Sequence, residues 1–274
     1  MFRNYWIFII EFQILAFQTT KFSPTSSIEW KEFPFIVSLQ RIKGLNELEH
    51  FCAGTILDDH WILTAAHCLQ DSIVVANDIE HIVALTKLSD QRRKVESKIF
   101  RLNLALIDDR FDSNTMDNDI GLVRTIESIE FLQHRIHWNQ SVIDRTVPKV
   151  ASVIGWGSTK SLRSMGLFQR AEDQLRKVLV ASVEMEKCSH LYRINGSFVL
   201  PNNVLCYGGD HSDSCQGDSG GPLFWTNATD HHFHLLGIVS FGIYCGRVFP
   251  GIYTDISHYR DWITANLRNN FEPT

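Results

Sequence analysis

The chain has 274 residues, 26 basic and 31 acidic side chains, a formal net charge of -5, 44% hydrophobic residues and 21% charged ones. At about 150 residues per domain that length allows roughly two units with large cores, and the composition excludes disordered, collagenous and low-complexity chains. The acidic balance argues against a nucleic-acid partner, because phosphate binding wants a basic surface.

Arg3 near the N-terminus is followed by the apolar run Trp6 to Ile10, a break at Glu11 and a second run from Ile14 to Phe17. This length suits a signal-peptide core and is too short for a membrane span, with a buried N-terminal segment as the alternative. No later stretch approaches the eighteen or so apolar residues of a transmembrane helix, so no membrane span is expected. Short β-rich runs then recur between polar turns, over 35–40, 55–57, 61–64, 120–124, 151–156, 177–183 and 235–241. Strands of that length and spacing predict an all-β antiparallel sandwich or barrel. Only the tail reads as a helix, with Ser257 as cap and Tyr259, Trp262, Ile263 and Leu267 on one face. Sequons at Asn139, Asn195 and Asn227 agree with passage through an oxidising secretory route. The six cysteines leave their pairing open.

Three segments carry chemistry. Gly217-Asp218-Ser219-Gly220-Gly221-Pro222 has a chance of about one in ten million per position at average residue usage. Glycines on both sides let a serine sit at the tip of a tight turn, where the N–H groups of Gly217 and Ser219 could converge on a developing oxyanion. A serine is a poor nucleophile without a base. In Leu63-Thr64-Ala65-Ala66-His67-Cys68, His67 follows an apolar strand among small residues that leave its ring room to move. In Asp117-Asn118-Asp119-Ile120-Gly121-Leu122, an acid directly precedes an apolar strand, and a buried carboxylate there could orient an imidazole.

His67 precedes Asp119 by 52 residues and Asp119 precedes Ser219 by 100. In this order and spacing the sequence resembles the chymotrypsin/trypsin family of serine endopeptidases, from about Glu32 to Leu267. Further matching segments are Pro34 to Gln40, His50-Phe51-Cys52, Gly155-Trp156-Gly157, Ser240-Phe241-Gly242 and Pro250 to Thr254. The resemblance implies a double six-stranded antiparallel β-barrel with a C-terminal helix and an active site between the barrels. The barrels would span roughly 22–140 and 141–256 of a protease domain over 22–274, after a signal peptide and short pro-segment over 1–21. Ser219 would be the nucleophile, His67 the general base and then acid, Asp119 the orienting carboxylate, and Ser240 a donor to that carboxylate.

The same resemblance pairs Cys52 with Cys68, Cys188 with Cys206, and Cys215 with Cys245. Asp213, six residues before Ser219, matches the floor of a trypsin-like primary pocket, with Ser214 beside it and Gly242 and Gly251 on its walls. A carboxylate there favours Arg or Lys before the scissile bond. Tyr244 stands on the pocket rim where trypsin has Gly, and Phe241 replaces a wall Trp. Partners implied are protein or peptide substrates and protein protease inhibitors, with no cofactor and an extracellular location.

The activation site departs from the family. Lys21 precedes Phe22-Ser23-Pro24-Thr25 where Ile-Val-Gly-Gly is usual. The new α-amino group would pair with Asp218, and a bulky Phe22 with Pro24 close behind it is expected to insert poorly. Ser38 and His50 match the pair that holds this aspartate in family zymogens. A weakly active, cleft-binding homologue is therefore the alternative reading. In His231-His232-Phe233-His234, His232 and His234 share one face of a strand, and an exposed polar strand edge is preferred over a metal site there.

Overall fold

Alternation of apolar and polar side chains, visible along Lys98–Ile107, builds the first half of the molecule in this computed structural model. The residues described are 26–44, 47–70, 79–94, 97–130, 136–139, 148–157, 173–194, 199–209, 217–227, 231–243 and 249–269. Residues 1–25 with Lys21, and Asn195, Asp213, Ser214, Cys215, Tyr244 and Cys245, lie outside them.

After a two-residue strand β1 (Ser26–Ser27) come β2 (Ile36–Lys43), β3 (Glu47–Ile56), β4 (Trp61–Thr64), β5 (Ile82–Thr86), β6 (Lys98–Ile107) and β7 (Gly121–Thr125). Strands β2 to β7 close into a six-stranded antiparallel barrel in the order β2-β3-β4-β7-β6-β5. The chain then passes through β8 (Ile136–His137) to β9 (Val150–Gly155), β10 (Arg176–Ala181), β11 (Val204–Tyr207), β12 (Pro222–Thr226), β13 (Phe233–Phe241) and β14 (Gly251–Asp255). Their antiparallel core runs β10-β9-β12-β13-β14-β11, with β1 beside β10 and β8 parallel to the start of β13. A bridge between Ser182 and Tyr207, with the Gly208 N–H donating to the Ala181 carbonyl at 2.8 Å, draws the two ends of this sheet together. The protein is thus mostly β, with two six-stranded antiparallel barrels.

One apolar cluster joins them. Phe33 and Phe35 lead into the first barrel, and Phe224 and Phe233 belong to the second. Their ring centroids lie 5.2 to 6.2 Å apart, within the range of edge-to-face aromatic packing.

Two details correct the sequence reading. A helix α1 (Met185–Ile194) precedes β11, where only the C-terminal tail was expected to be helical. Cys188 and Tyr192, four residues apart, are buried on its inner face, and the Cys188–Cys206 disulfide fastens it to β11. That spacing was a readable signal, diluted by the five charged or polar residues Glu186, Lys187, Ser189, His190 and Arg193 around it. At the C-terminus, Ser257 is not the cap. Asp255 accepts from the Ser257 N–H at 2.9 Å and caps a 3-10 turn (Ile256–Tyr259), after which α2 runs from Arg260 to Asn269.

Candidate active site

His67 and Asp119 meet because their strands are neighbours. Strand β4 ends at Thr64, which pairs with Gly121 at the start of β7. The turn beyond one strand therefore faces the residues before the other. Residues 66–70 form a short helical turn, and the Cys52–Cys68 disulfide pins that turn to β3.

The Asp119 carboxylate is fully buried and is surrounded by donors. Its Oδ1 accepts from the His67 backbone N–H at 2.9 Å, and its Oδ2 accepts from the His67 Nδ1–H at 2.8 Å. Ser240 Oγ, from β13 in the second barrel, donates to the same Oδ2. Thr254 Oγ1 on β14 donates to the Asp119 main-chain carbonyl at 2.8 Å. A buried carboxylate is tolerated when charge-assisted hydrogen bonds replace its water. With its proton held on Nδ1, a neutral His67 presents Nε2 as an acceptor. Its side chain keeps 26% exposure, enough to be reached from the cleft.

The Ser219 turn is seated against the same stretch of chain. Gly217 (φ 100°) and Gly220 (φ 77°) both occupy the left-handed region. The Ser219 carbonyl accepts from the Ala53 N–H, and the Gly220 N–H donates to the Val239 carbonyl, each at 2.8 Å. A Cβ at Gly220 would lie 2.1 Å from Thr64 Oγ1 and 2.5 Å from the Ala53 carbonyl oxygen. The segment carrying Ser219 therefore presses on Thr64 and Ala65, just ahead of His67.

Ser38 and His50 form the pair expected of them, and the other His50 nitrogen reaches the Gly217 carbonyl. Asp218 Oδ1 accepts from the Gly157 N–H at 2.8 Å, in a recess where neither Gly155 nor Gly157 has room for a side chain. His50 uses both ring nitrogens: Nε2–H donates to the Gly217 carbonyl at 2.8 Å and Nδ1 accepts from Ser38 Oγ at 2.8 Å. The network continues inward. Gln40 and Gln91 Nε2 both donate to Ser38 Oγ, and Lys94 Nζ donates to Gln40 Oε1 at 2.8 Å and to the Leu48 carbonyl. A chain of hydrogen bonds thus runs from Lys94 to the Gly217 peptide. Gln40, Gln91 and Lys94 carried no motif, because their contacts depend on strand register that a single sequence does not display.

Both His50 bonds require the neutral ring. Burial lowers its pKa from 6.5 to about 4, Lys94 pushes the same way, and the bond to Gly217 opposes them. The unfolded chain binds this proton as pH falls below about 6.5, whereas the folded chain resists until about 4. The stabilisation is therefore complete above that window and is lost through it on acidification, about 2–3 kcal/mol by pH 4.5. His50→Gln keeps one donor and one acceptor but cannot titrate. Denaturant unfolding between pH 7 and pH 4.5 should show a flatter pH dependence in this variant, and an unchanged slope would remove His50 as the source.

The remaining expected site residues divide. Gly242 is exposed just beyond β13 and Gly251 is buried at the start of β14. Asn139 is exposed, and Asn227 is half-buried at the end of β12. Among the described residues, Cys52, His67 and Cys68 form a group with metal-ligand spacing. Their sulfurs are bonded to each other and offer no thiolate, so this group is not a metal centre.

The trypsin family model matches residues 23–263. The chain belongs to the trypsin family of serine proteases. Within that family it is similar to trypsin eta of Drosophila melanogaster, 33% identical over 257 residues, covering 86% of this chain and 84% of the relative. Trypsin Blo t 3 of Blomia tropicalis is 31% identical over 238 residues, covering 84% and 80%. The heavy chain of venom peptide isomerase from Agelenopsis aperta is 29% identical over 247 residues, covering 86% and 96%. Among the described residues, no helix is long and apolar enough to cross a membrane.

Proposed function

We propose that this family member is a secreted serine endopeptidase that cleaves after Arg or Lys through an acyl-enzyme on Ser219. The observation that carries the reading is the buried Asp119, which orients His67 from one barrel while accepting from Ser240 in the other. In this mechanism His67 Nε2 takes the Ser219 proton as Oγ attacks the scissile carbonyl. The N–H groups of Gly217 and Ser219 stabilise the oxyanion, and the protonated His67 then delivers its proton to the leaving amine. Asp119 orients the ring and stabilises its charged form. Water repeats the sequence in reverse to free the acyl group. Asp213 at the pocket floor selects the basic side chain, with Ser214 beside it and Gly242 and Gly251 on the walls. No cofactor enters any step.

Secretion is supported by the apolar run after Arg3, the two disulfides among the described residues and the three sequons. Cleavage after Lys21 would create the α-amino group that pairs with Asp218. The Asp218 carboxylate lies beside Gly155 and Gly157, and a terminus of bulky Phe22 with Pro24 close behind it would pair with it less readily than the family's usual Ile-Val-Gly-Gly.

Fluorophosphonate labelling after controlled cleavage at Lys21 tests the chemistry. Modification of Ser219 is expected, and its absence would favour the alternative of a cleft-binding homologue. A peptide library read by mass and by residue stereochemistry tests specificity, the second readout because one relative is named a peptide isomerase. Cleavage after apolar residues would overturn the role given to Asp213.

A further inference from the structure

We propose that Lys94 is a positioning residue for the oxyanion peptide: as a group that can only donate, it sets the direction of every hydrogen bond between itself and the Gly217 carbonyl. The proposal rests on the reading of Ser219 as nucleophile with the Gly217 N–H as an oxyanion donor. Lys94 Nζ donates to Gln40 Oε1 at 2.8 Å and to the Leu48 carbonyl. An ammonium offers no acceptor, so the Gln40 oxygen must face it and the Gln40 NH₂ must face inward. That NH₂ donates to Ser38 Oγ and to Gln91 Oε1, the second at 2.9 Å. The Gln91 NH₂ is thereby turned onto Ser38 Oγ, 3.2 Å away.

Ser38 carries the direction onward. Its oxygen has two lone pairs, and the two amides fill both. The single hydroxyl proton is left for His50 Nδ1, 2.8 Å away. With Nδ1 accepting, a neutral imidazole keeps its proton on Nε2, which donates to the Gly217 carbonyl at 2.8 Å. Ser38 and Gln40 are fully buried, and Trp156 stands edge-on to the His50 ring at 5.4 Å between centroids, so the order is set away from water.

Gly217 needs such a tie. At φ 100° it has no side chain whose packing could fix the peptide plane, and the bond to its carbonyl fixes that plane from outside. Without the Lys94 ammonium, both amides can turn over together and the Ser38 hydroxyl can donate to Gln40. His50 then carries its proton on Nδ1, and a bare Nε2 faces the Gly217 carbonyl, acceptor against acceptor. The backbone around these side chains is held separately: the Gln91 N–H donates to the Asp173 carbonyl at 2.6 Å, and the Ser97 N–H to the Lys94 carbonyl at 3.0 Å. Loss of the ammonium therefore acts through the side-chain relay, with the loop in place.

Long-range proton–nitrogen NMR of the full, disulfide-intact chain with isotope-labelled histidine reads the tautomer directly, and His50→Gln identifies the His50 signal. The proton is expected on Nε2 in the unaltered protein and in Lys94→Arg, another side chain that only donates. It is expected on Nδ1 in Lys94→Met, which keeps the stem and loses the charge. After cleavage at Lys21, kcat for an ester substrate should fall about tenfold in Lys94→Met at nearly constant KM, and stay within about threefold of the parent in Lys94→Arg. Gln40→Leu cuts the same relay one bond further on and is expected to match Lys94→Met, so it replaces that variant if the latter fails to fold. An Nε2 proton that persists in Lys94→Met and Gln40→Leu overturns the proposal. So does a change in tautomer or in kcat without the other, or Lys94→Arg behaving as Lys94→Met. If the unaltered chain turns over no ester, the acyl-enzyme reading fails, while the tautomers still decide whether Lys94 sets the direction of the relay.

Discussion

Changing Asp119 to Asn is expected to lower kcat about 10,000-fold with little loss of stability. The reason lies in the donor pattern around the carboxylate. All three side-chain partners donate: the His67 backbone N–H to Oδ1, and the His67 Nδ1–H and Ser240 hydroxyl to Oδ2. An Asn side chain must point its NH₂ at one side or the other. The backbone N–H cannot become an acceptor, whereas an imidazole can change tautomer and a hydroxyl can rotate. The amide nitrogen therefore settles at the Oδ2 position, and His67 answers by moving its proton to Nε2. In the proposed mechanism that tautomer holds a hydrogen where the Ser219 proton would go. Single-turnover kinetics on an ester substrate would read the loss. A variant within tenfold of the parent would show that Asp119 does not set the His67 tautomer. Ser240→Ala removes one of two partners at Oδ2 and is expected to cost far less, below about thirtyfold.

Gly220→Ala is the second large effect, felt by fold and chemistry together. At φ 77° an L side chain costs about 1–2 kcal/mol before any contact is counted. The new methyl would then stand 2.1 Å from Thr64 Oγ1 and 2.5 Å from the Ala53 carbonyl, and 3.0 Å from the Ala65 nitrogen. Thr64 Oγ1 is itself tied to that carbonyl at 2.8 Å, so neither atom yields without breaking a buried hydrogen bond. A loss of about 3 kcal/mol or more is expected, roughly 6–12 °C in melting temperature for a chain of this size. Gly44→Ala supplies the control. Its φ is 62°, but nothing lies within 4 Å of its added Cβ, so only the backbone cost remains. Equal effects at the two positions would show that crowding at Gly220 is relieved cheaply.

Much of the fold could be read from the chain because short apolar runs repeat along it and because several motifs matched one family in order. The meeting of His67 with Asp119 was readable for the same reason, as were two disulfides. What could not be read depends on register between distant strands. Nothing local marks Lys94 as the far end of a hydrogen-bond chain to Gly217, since β2, β3 and the loop before β6 must first be brought together. The bond from His50 to the Gly217 carbonyl was not readable either, because it depends on how the turn before Ser219 seats against β3. The helix Met185–Ile194 escaped because its buried face is narrow.

The support of Asp119 from both sides of the seam has a mechanical consequence. The residue is rooted in the first barrel, yet Ser240 and Thr254 reach it from the second, while Phe33 and Phe35 interleave with Phe224 and Phe233 elsewhere along the seam. Parting the barrels by a few ångströms would strip donors from a buried charge and expose four aromatic rings at once. Such a seam does not hinge gradually. Neither half can melt on its own terms, so heat or denaturant is expected to remove activity and both barrels in one transition, with no surviving half-folded protease to be digested by its neighbours.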